Sequence, residues 1–166
     1  MRVLPLLIAI GILSASPGLA APAQPLGKAD LIVVLKQKRE LLLIRGHRIL
    51  RRYAVALGLH PAGAKHWQGD GRTPEGTYVI DGRVPGSGYH LALHISYPGP
   101  DDQARASAAH RSAGGDIMIH GMPNWYDDVT MEMAPDWTKG CIAVSNDAIE
   151  EIWDAVDDGT PIEIRP

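Results

Sequence analysis

A mainly β fold, a sandwich or barrel with one helix near its C-terminus, is what this sequence predicts, and three observations predict it. Short apolar runs rich in Val, Ile and Leu recur between polar or glycine-containing turns, the patterning of strands. Only one segment carries a clear helical period. Strands do not alternate with helices, which speaks for a sandwich or barrel and against a βαβ sheet.

Taken in order, residues 31–35 (LIVVL), 41–44 (LLLI) and 49–58 (ILRRYAVALG) read as successive antiparallel hairpins, joined by polar turns at 36–39 and 45–48. Further strands are expected at 76–81, 89–97, 116–120, 141–144 and 161–164. The strand at 89–97 rests on Tyr89, Leu91, Leu93, Ile95 and Tyr97 alternating with His90, Ala92, His94 and Ser96. In 145–159, Ile149, Ile152, Trp153 and Val156 fall at i, i+3, i+4 and i+7, Ser145 or Asn146 can cap the start, and Gly159 ends the helix. The Ala-rich segment 101–113 is compatible with a surface helix, but its period is too weak to define one.

The chain has 166 residues, 45% of them apolar and 21% charged, with a formal net charge of -3. That length holds one domain. A charge so close to neutral gives no reason to expect nucleic acid or an anionic membrane as partner. Without any Phe, the core must be aliphatic. A single cysteine excludes a disulfide framework and a Cys-type zinc site, so the thiol matters through reactivity if it matters at all.

Residues 1–20 read as a secretory signal: Met1 and Arg2, an apolar run over 3–13 too short to anchor in a bilayer, then small residues. Gly18 and Ala20 suit a cut after Ala20, and Ala21, Pro22 and Ala23 offer a second one. Residues 21–28 would form a short linker and 29–166 the domain. The mature protein is then expected in the periplasm or cell envelope, without stable membrane insertion and without ATP.

The chemistry gathers in the C-terminal third. The run Asp116, Ile117, Met118, Ile119, His120, Gly121 mounts a histidine at a strand end, and Thr138, Lys139, Gly140, Cys141 leads the cysteine into another strand. A thiol nucleophile needs a base, an open approach and backbone N–H groups for an oxyanion. His120 can supply the first, and Gly140 with Cys141 the others. Alone, each residue is more often an inert core cysteine or a hydrogen-bonded histidine. Export shifts the balance, because a free cysteine in an oxidising compartment is a liability unless buried or used.

These residues, together with the run Gly69, Asp70, Gly71, Arg72, Thr73, Pro74, Glu75, Gly76, make the chain similar to the L,D-transpeptidase catalytic domain family (YkuD type) over about 29–164. The resemblance implies a β-sandwich-like fold with the cysteine in a groove on peptidoglycan stem peptides. Cys141 then matches the nucleophile, His120 its base and proton donor, Gly121 the backbone carbonyl that orients the ring, and Gly140 the oxyanion backbone. Thr138 replaces the more usual serine and is expected to meet substrate. Ala143 stands where the family commonly has Arg or Asn, as in a divergent branch that includes murein hydrolases. The implied reaction is cofactor-free acyl transfer through a Cys141 thioester, to an amine as a transpeptidase or to water as a carboxypeptidase, endopeptidase or amidase-type hydrolase. An idle wall-binding domain and a metal-dependent exported hydrolase are the remaining classes.

The run 69–76 lacks the Lys-Ser ending of a phosphate loop and is expected to be a structural turn, with Asp70, Arg72 and Glu75 pairing as solvated charges. A metal site would draw on His90, His94, His110 and His120, but His90 and His94, about 13 Å apart on one strand face, are too distant to share an ion and are placed on the groove side or a plain surface. Residues 122–135 are long enough for a lid. In it, Trp125 and Tyr126 are expected to pack on the arm of diaminopimelate, with Asp127 or Asp128 near its ammonium.

Overall fold

The computed structural model describes residues 26–127 and 135–166. The expected signal segment therefore lies outside the described residues, as do Asp128, Met131 and Met133 of the expected lid. Eight strands form one sheet in the order β3-β2-β1-β8-β4-β5-β6-β7: β1 (Leu31–Leu35), β2 (Glu40–Arg45), β3 (Arg48–Ala54), β4 (Gly76–Ser87), β5 (His90–Ile95), β6 (Met118–His120), β7 (Ile142–Ala143) and β8 (Pro161–Arg165). Pairing is antiparallel except between β1 and β8 and between β6 and β7.

The sheet folds over because β4 belongs to both halves. Its start pairs with β8 and the remainder with β5, with register shifts at Ile80/Gly82 and Val84/Ser87 that bend the strand. The chain leaving β3 then meets the far edge: Ala56 and Ala143 exchange both backbone hydrogen bonds at 2.9 Å, and Leu59 N donates to Thr138 O at 3.0 Å. These isolated bridges tie the chain just after β3 to the β7 end of the sheet, a partial, barrel-like closure. The core inside is aliphatic, with Ile32, Val34, Leu41, Leu43, Leu57, Ile80, Leu93, Ile95, Ile119 and Ile142 all buried.

The C-terminal helix α2 (Asn146–Ala155) follows its apolar stripe: Ile149 and Ile152 are buried, the helix packs on β5, and Ser145 Oγ accepts from Ala148 N at 3.2 Å. A second helix, α1 (Pro100–Ala108), forms where the apolar period is weak. Its start is fixed by polar chemistry instead. Pro100 leads it, and buried Asp102 accepts from Gly99 N at 3.1 Å and from the Tyr78 hydroxyl at 3.0 Å. No helix among the described residues is long and apolar enough to cross a membrane.

Two polar expectations are corrected. Lys36, placed by sequence in a polar turn, is 2% exposed and donates to Gly63 O at 2.6 Å, Thr73 O at 3.0 Å and Glu75 at 2.8 Å. Asp70, Arg72 and Glu75 do not form a solvated cluster. Glu75 belongs to Lys36, whereas the Asp70 carboxylate is buried and takes Lys65 Nζ at 2.9 Å, His66 N at 2.7 Å, Trp67 N at 3.2 Å and Arg72 N at 3.0 Å. Burial demands such partners: a carboxylate or ammonium taken from water must be paired and hydrogen-bonded.

Candidate active site

Parallel pairing of β6 with β7 sets Ile119 opposite Ile142 and His120 opposite Ala143. Cys141, just before β7, thus lies near the level of Met118, two residues before His120 on the adjacent strand. Strand spacing and rise put the Cys141 and His120 backbones about 8 Å apart. The His120 Nδ1 lies 2.7 Å from Gly121 O. A carbonyl can only accept, so Nδ1 carries the proton and the Nε2 lone pair is left for a base. Gly121 allows this tight corner: a Cβ there would come within 2.6 Å of Asn146 Oδ1 and 3.0 Å of Tyr89 O.

His120 is 4% exposed, and burial pushes its imidazole below the ordinary value, the Gly121 carbonyl acting the other way. Burial pushes the Cys141 thiol up; Asp116 adds to this, while the Met118 backbone and Lys65 oppose it. The resting pair is therefore neutral thiol and neutral imidazole. The thiol donates to Asp116 O at 3.4 Å, and Asp116 holds a left-handed φ of 55°.

The loop before Cys141 is tied from within. Thr138 Oγ1 donates to Cys141 O at 2.8 Å and accepts from Gly140 N at 3.1 Å. Thr138, expected to touch substrate, is buried, with its hydroxyl engaged in the loop. The Gly140 amide, expected to face an oxyanion, is turned onto Thr138. Gly140 also packs on the 69–76 run: a Cβ would sit 2.7 Å from Arg72 O. Sequence reasoning gave that run a structural role without its target, which is the loop before Cys141.

A cleft of about 550 Å³ opens on the β7 side, lined by Ala54–Ala56, Met122, Tyr126, Trp137 and residues 143–147. Tyr126 is in its wall, whereas Trp125 is 68% exposed and Asp127 is exposed. Ala143 is among its lining residues. The histidines considered for a metal go elsewhere: His90 meets Glu150 at 2.7 Å and His94 meets Asp81 at 2.5 Å. Among the described residues, no group of three or more His, Cys, Asp or Glu is placed to hold a metal ion. Two aromatic neighbours of His120 escaped the sequence reading, Tyr89 and Trp137, with ring centroids 4.5 Å and 5.7 Å from the imidazole. Trp137 stood beside the cysteine motif, but Tyr89 is far away in sequence.

A β fold that sets a histidine on one strand beside a cysteine at the entrance to the neighbouring one defines a candidate thiol acyl-transfer site. The L,D-transpeptidase catalytic domain (YkuD) family model matches residues 29–164, and the chain belongs to that family. It is 30% identical over 139 residues to YafK of Escherichia coli strain K12, classed with the L,D-transpeptidases; the match covers 80% of this chain and 49% of that protein. The chain thus spans about half the length of the curated relatives it matches. Among solved structures it is similar to the helical cell shape determining protein Pgp2 of Campylobacter jejuni (TM-score 0.60, 22% identity, 84% of this chain and 52% of that one). It is also similar to L,D-transpeptidase 1 of Mycobacterium tuberculosis (TM-score 0.53, 18% identity, 84% and 63%). At these identities the two structures speak for the fold.

Proposed function

We propose that the protein is an exported, cysteine-dependent acyl transferase acting on peptidoglycan stem peptides. The observation that carries this reading is His120, its Nδ1 held by Gly121 O, on the strand beside the one that Cys141 leads into. Nε2 of His120 takes the thiol proton as Sγ attacks the carbonyl carbon of the scissile amide. The Cys141 N–H supports the oxyanion. Collapse breaks the C–N bond, the imidazolium returns the proton to the departing amine, and a thioester remains. An incoming amine or water then gives its proton to His120, attacks the thioester, and releases the thiol. Neutral resting partners suit this order, because the proton moves only as the substrate reacts.

Transfer to an amine is the primary reading, since a held amine has a large proximity advantage over water. Hydrolysis is the second, favoured by one observation: Ala143 brings no guanidinium to the cleft that could fix an acceptor carboxylate. The test is a tetrapeptide donor with and without excess D-amino acid, read by mass spectrometry. Exchanged product supports the transferase; hydrolysis alone at saturating amine moves the protein to the hydrolases, and an unchanged donor removes both.

A further inference from the structure

The imidazole of His120 is walled by aromatic rings from two distant parts of the chain. Tyr89, at the tip of the β4–β5 hairpin, lies 4.5 Å from it centroid to centroid at 41°, and Trp137, before the cysteine, lies 5.7 Å away at 64°. The two rings also meet each other at 6.1 Å. Asn124 fixes the hairpin tip with three hydrogen bonds: its N donates to Gly88 O at 2.9 Å, its Nδ2 to Ser87 O at 3.0 Å, and its Oδ1 accepts from His90 N at 2.8 Å. Tyr89 N adds a bond to Ser87 Oγ at 3.0 Å. A surface aromatic with no task would not need a tip so firmly held.

We propose that Tyr89 is a positioning residue of the reaction: with Trp137 it closes the His120 ring off from water and fixes its plane, and Asn124 holds Tyr89 in place. This rests on His120 being the base. Among the described residues, the titratable groups carried by the segments next to the ring are the Tyr89 phenol of the hairpin, the Cys141 thiol of the loop before β7, and Tyr126 and Asp127 of the loop that follows Gly121. Ala143 of β7 and Trp137 carry no charge, and His90 of β5 is turned to Glu150. The cover therefore acts chiefly by excluding water, which disfavours the imidazolium.

The experiment titrates His120 by NMR, its resonance assigned with His120→Gln, in the wild type, Tyr89→Phe and Tyr89→Ala, beside the acidic limb of kcat/KM for each. Tyr89 is 42% exposed, so its replacement leaves the core intact. The expected result is a wild-type midpoint below 6.5, preserved in Tyr89→Phe and raised towards 6.5 in Tyr89→Ala, with the activity limb moving alike. On that limb the rate falls about tenfold for each pH unit of the rise. An unmoved midpoint and limb in Tyr89→Ala, or a Phe variant that behaves like Ala, overturns the inference alone. A midpoint that moves while the limb stays overturns His120 as the base, and Tyr89's place in the reaction with it.

Discussion

Gly140→Ala adds one methyl group at a crowded point of the loop before Cys141. Gly140 has φ +137°, which L side chains rarely adopt, and holding Ala there costs about 1–3 kcal/mol. The new Cβ would also lie 2.7 Å from Arg72 O and 3.2 Å from Ile117 Cδ1. Arg72 cannot retreat easily, because its own N–H is bound to Asp70 and the preceding carbonyl, Gly71 O, accepts from His60 N. Overpacking of this kind adds about 1–3 kcal/mol. If the loop relieves part of both by shifting, the net loss is about 2–5 kcal/mol, a fall in Tm of roughly 6–15 °C for a domain of this size. Thermal unfolding of the variant measures it, with Gly115→Ala as control, since a Cβ at Gly115 meets nothing within 4 Å. Any shift that relieves the clash moves Cys141, so acylation slows even where the variant is folded. A Gly140→Ala protein that melts within about 2 °C of wild type and acylates at the wild-type rate would refute the packing argument.

Thr138→Val leaves Cys141 O and Gly140 N without their hydroxyl partner and is expected to lose about 1–3 kcal/mol in urea unfolding, whereas Thr138→Ser keeps both bonds and most of the stability. Asp70→Ala strands the buried Lys65 ammonium and is expected to cost about 3–5 kcal/mol. Burial alone would raise the Asp70 carboxyl, but the His66, Arg72 and Trp67 amides and Lys65 outweigh it and hold it below its ordinary value of 3.8. Its contribution is thus present above about pH 4 and lost as pH falls through the lower folded value, so a stability curve over pH 2–5 should be flatter in Asp70→Ala. Because burial raises the Cys141 thiol above its ordinary 9.0, iodoacetamide should label it slowly at pH 7 and faster only above pH 9; a midpoint below 7 would show a preformed ion pair instead.

What the sequence made legible follows from where information is local. The β1 to β3 hairpins and α2 are written in apolar period and capping within a dozen residues, and the chemistry is concentrated by a single thiol and a histidine at a strand end. Helix α1 was obscured because Asp102 and Pro100 fix its start rather than an apolar stripe. The Tyr89 contact was illegible for another reason: it depends on two register shifts in β4 and on the Asn124 clamp, neither of which has a periodic signature. The buried Lys36 and Lys65 look like surface lysines until their partners from distant loops are seen. Likewise, only the folded loop reveals that the Gly140 amide faces Thr138.

The measurement that bears most directly on the account is where an acyl group lands. Incubating the protein with a carbapenem, or with a stem-peptide donor quenched in acid, and mapping the adduct by intact-mass and peptide mass spectrometry reads the acylated residue itself. The account predicts a single adduct on the peptide containing Cys141, absent from Cys141→Ala and formed about 10²–10⁴-fold more slowly in His120→Gln. The same adduct on Cys141→Ala, or wild-type acylation in His120→Gln, would contradict it.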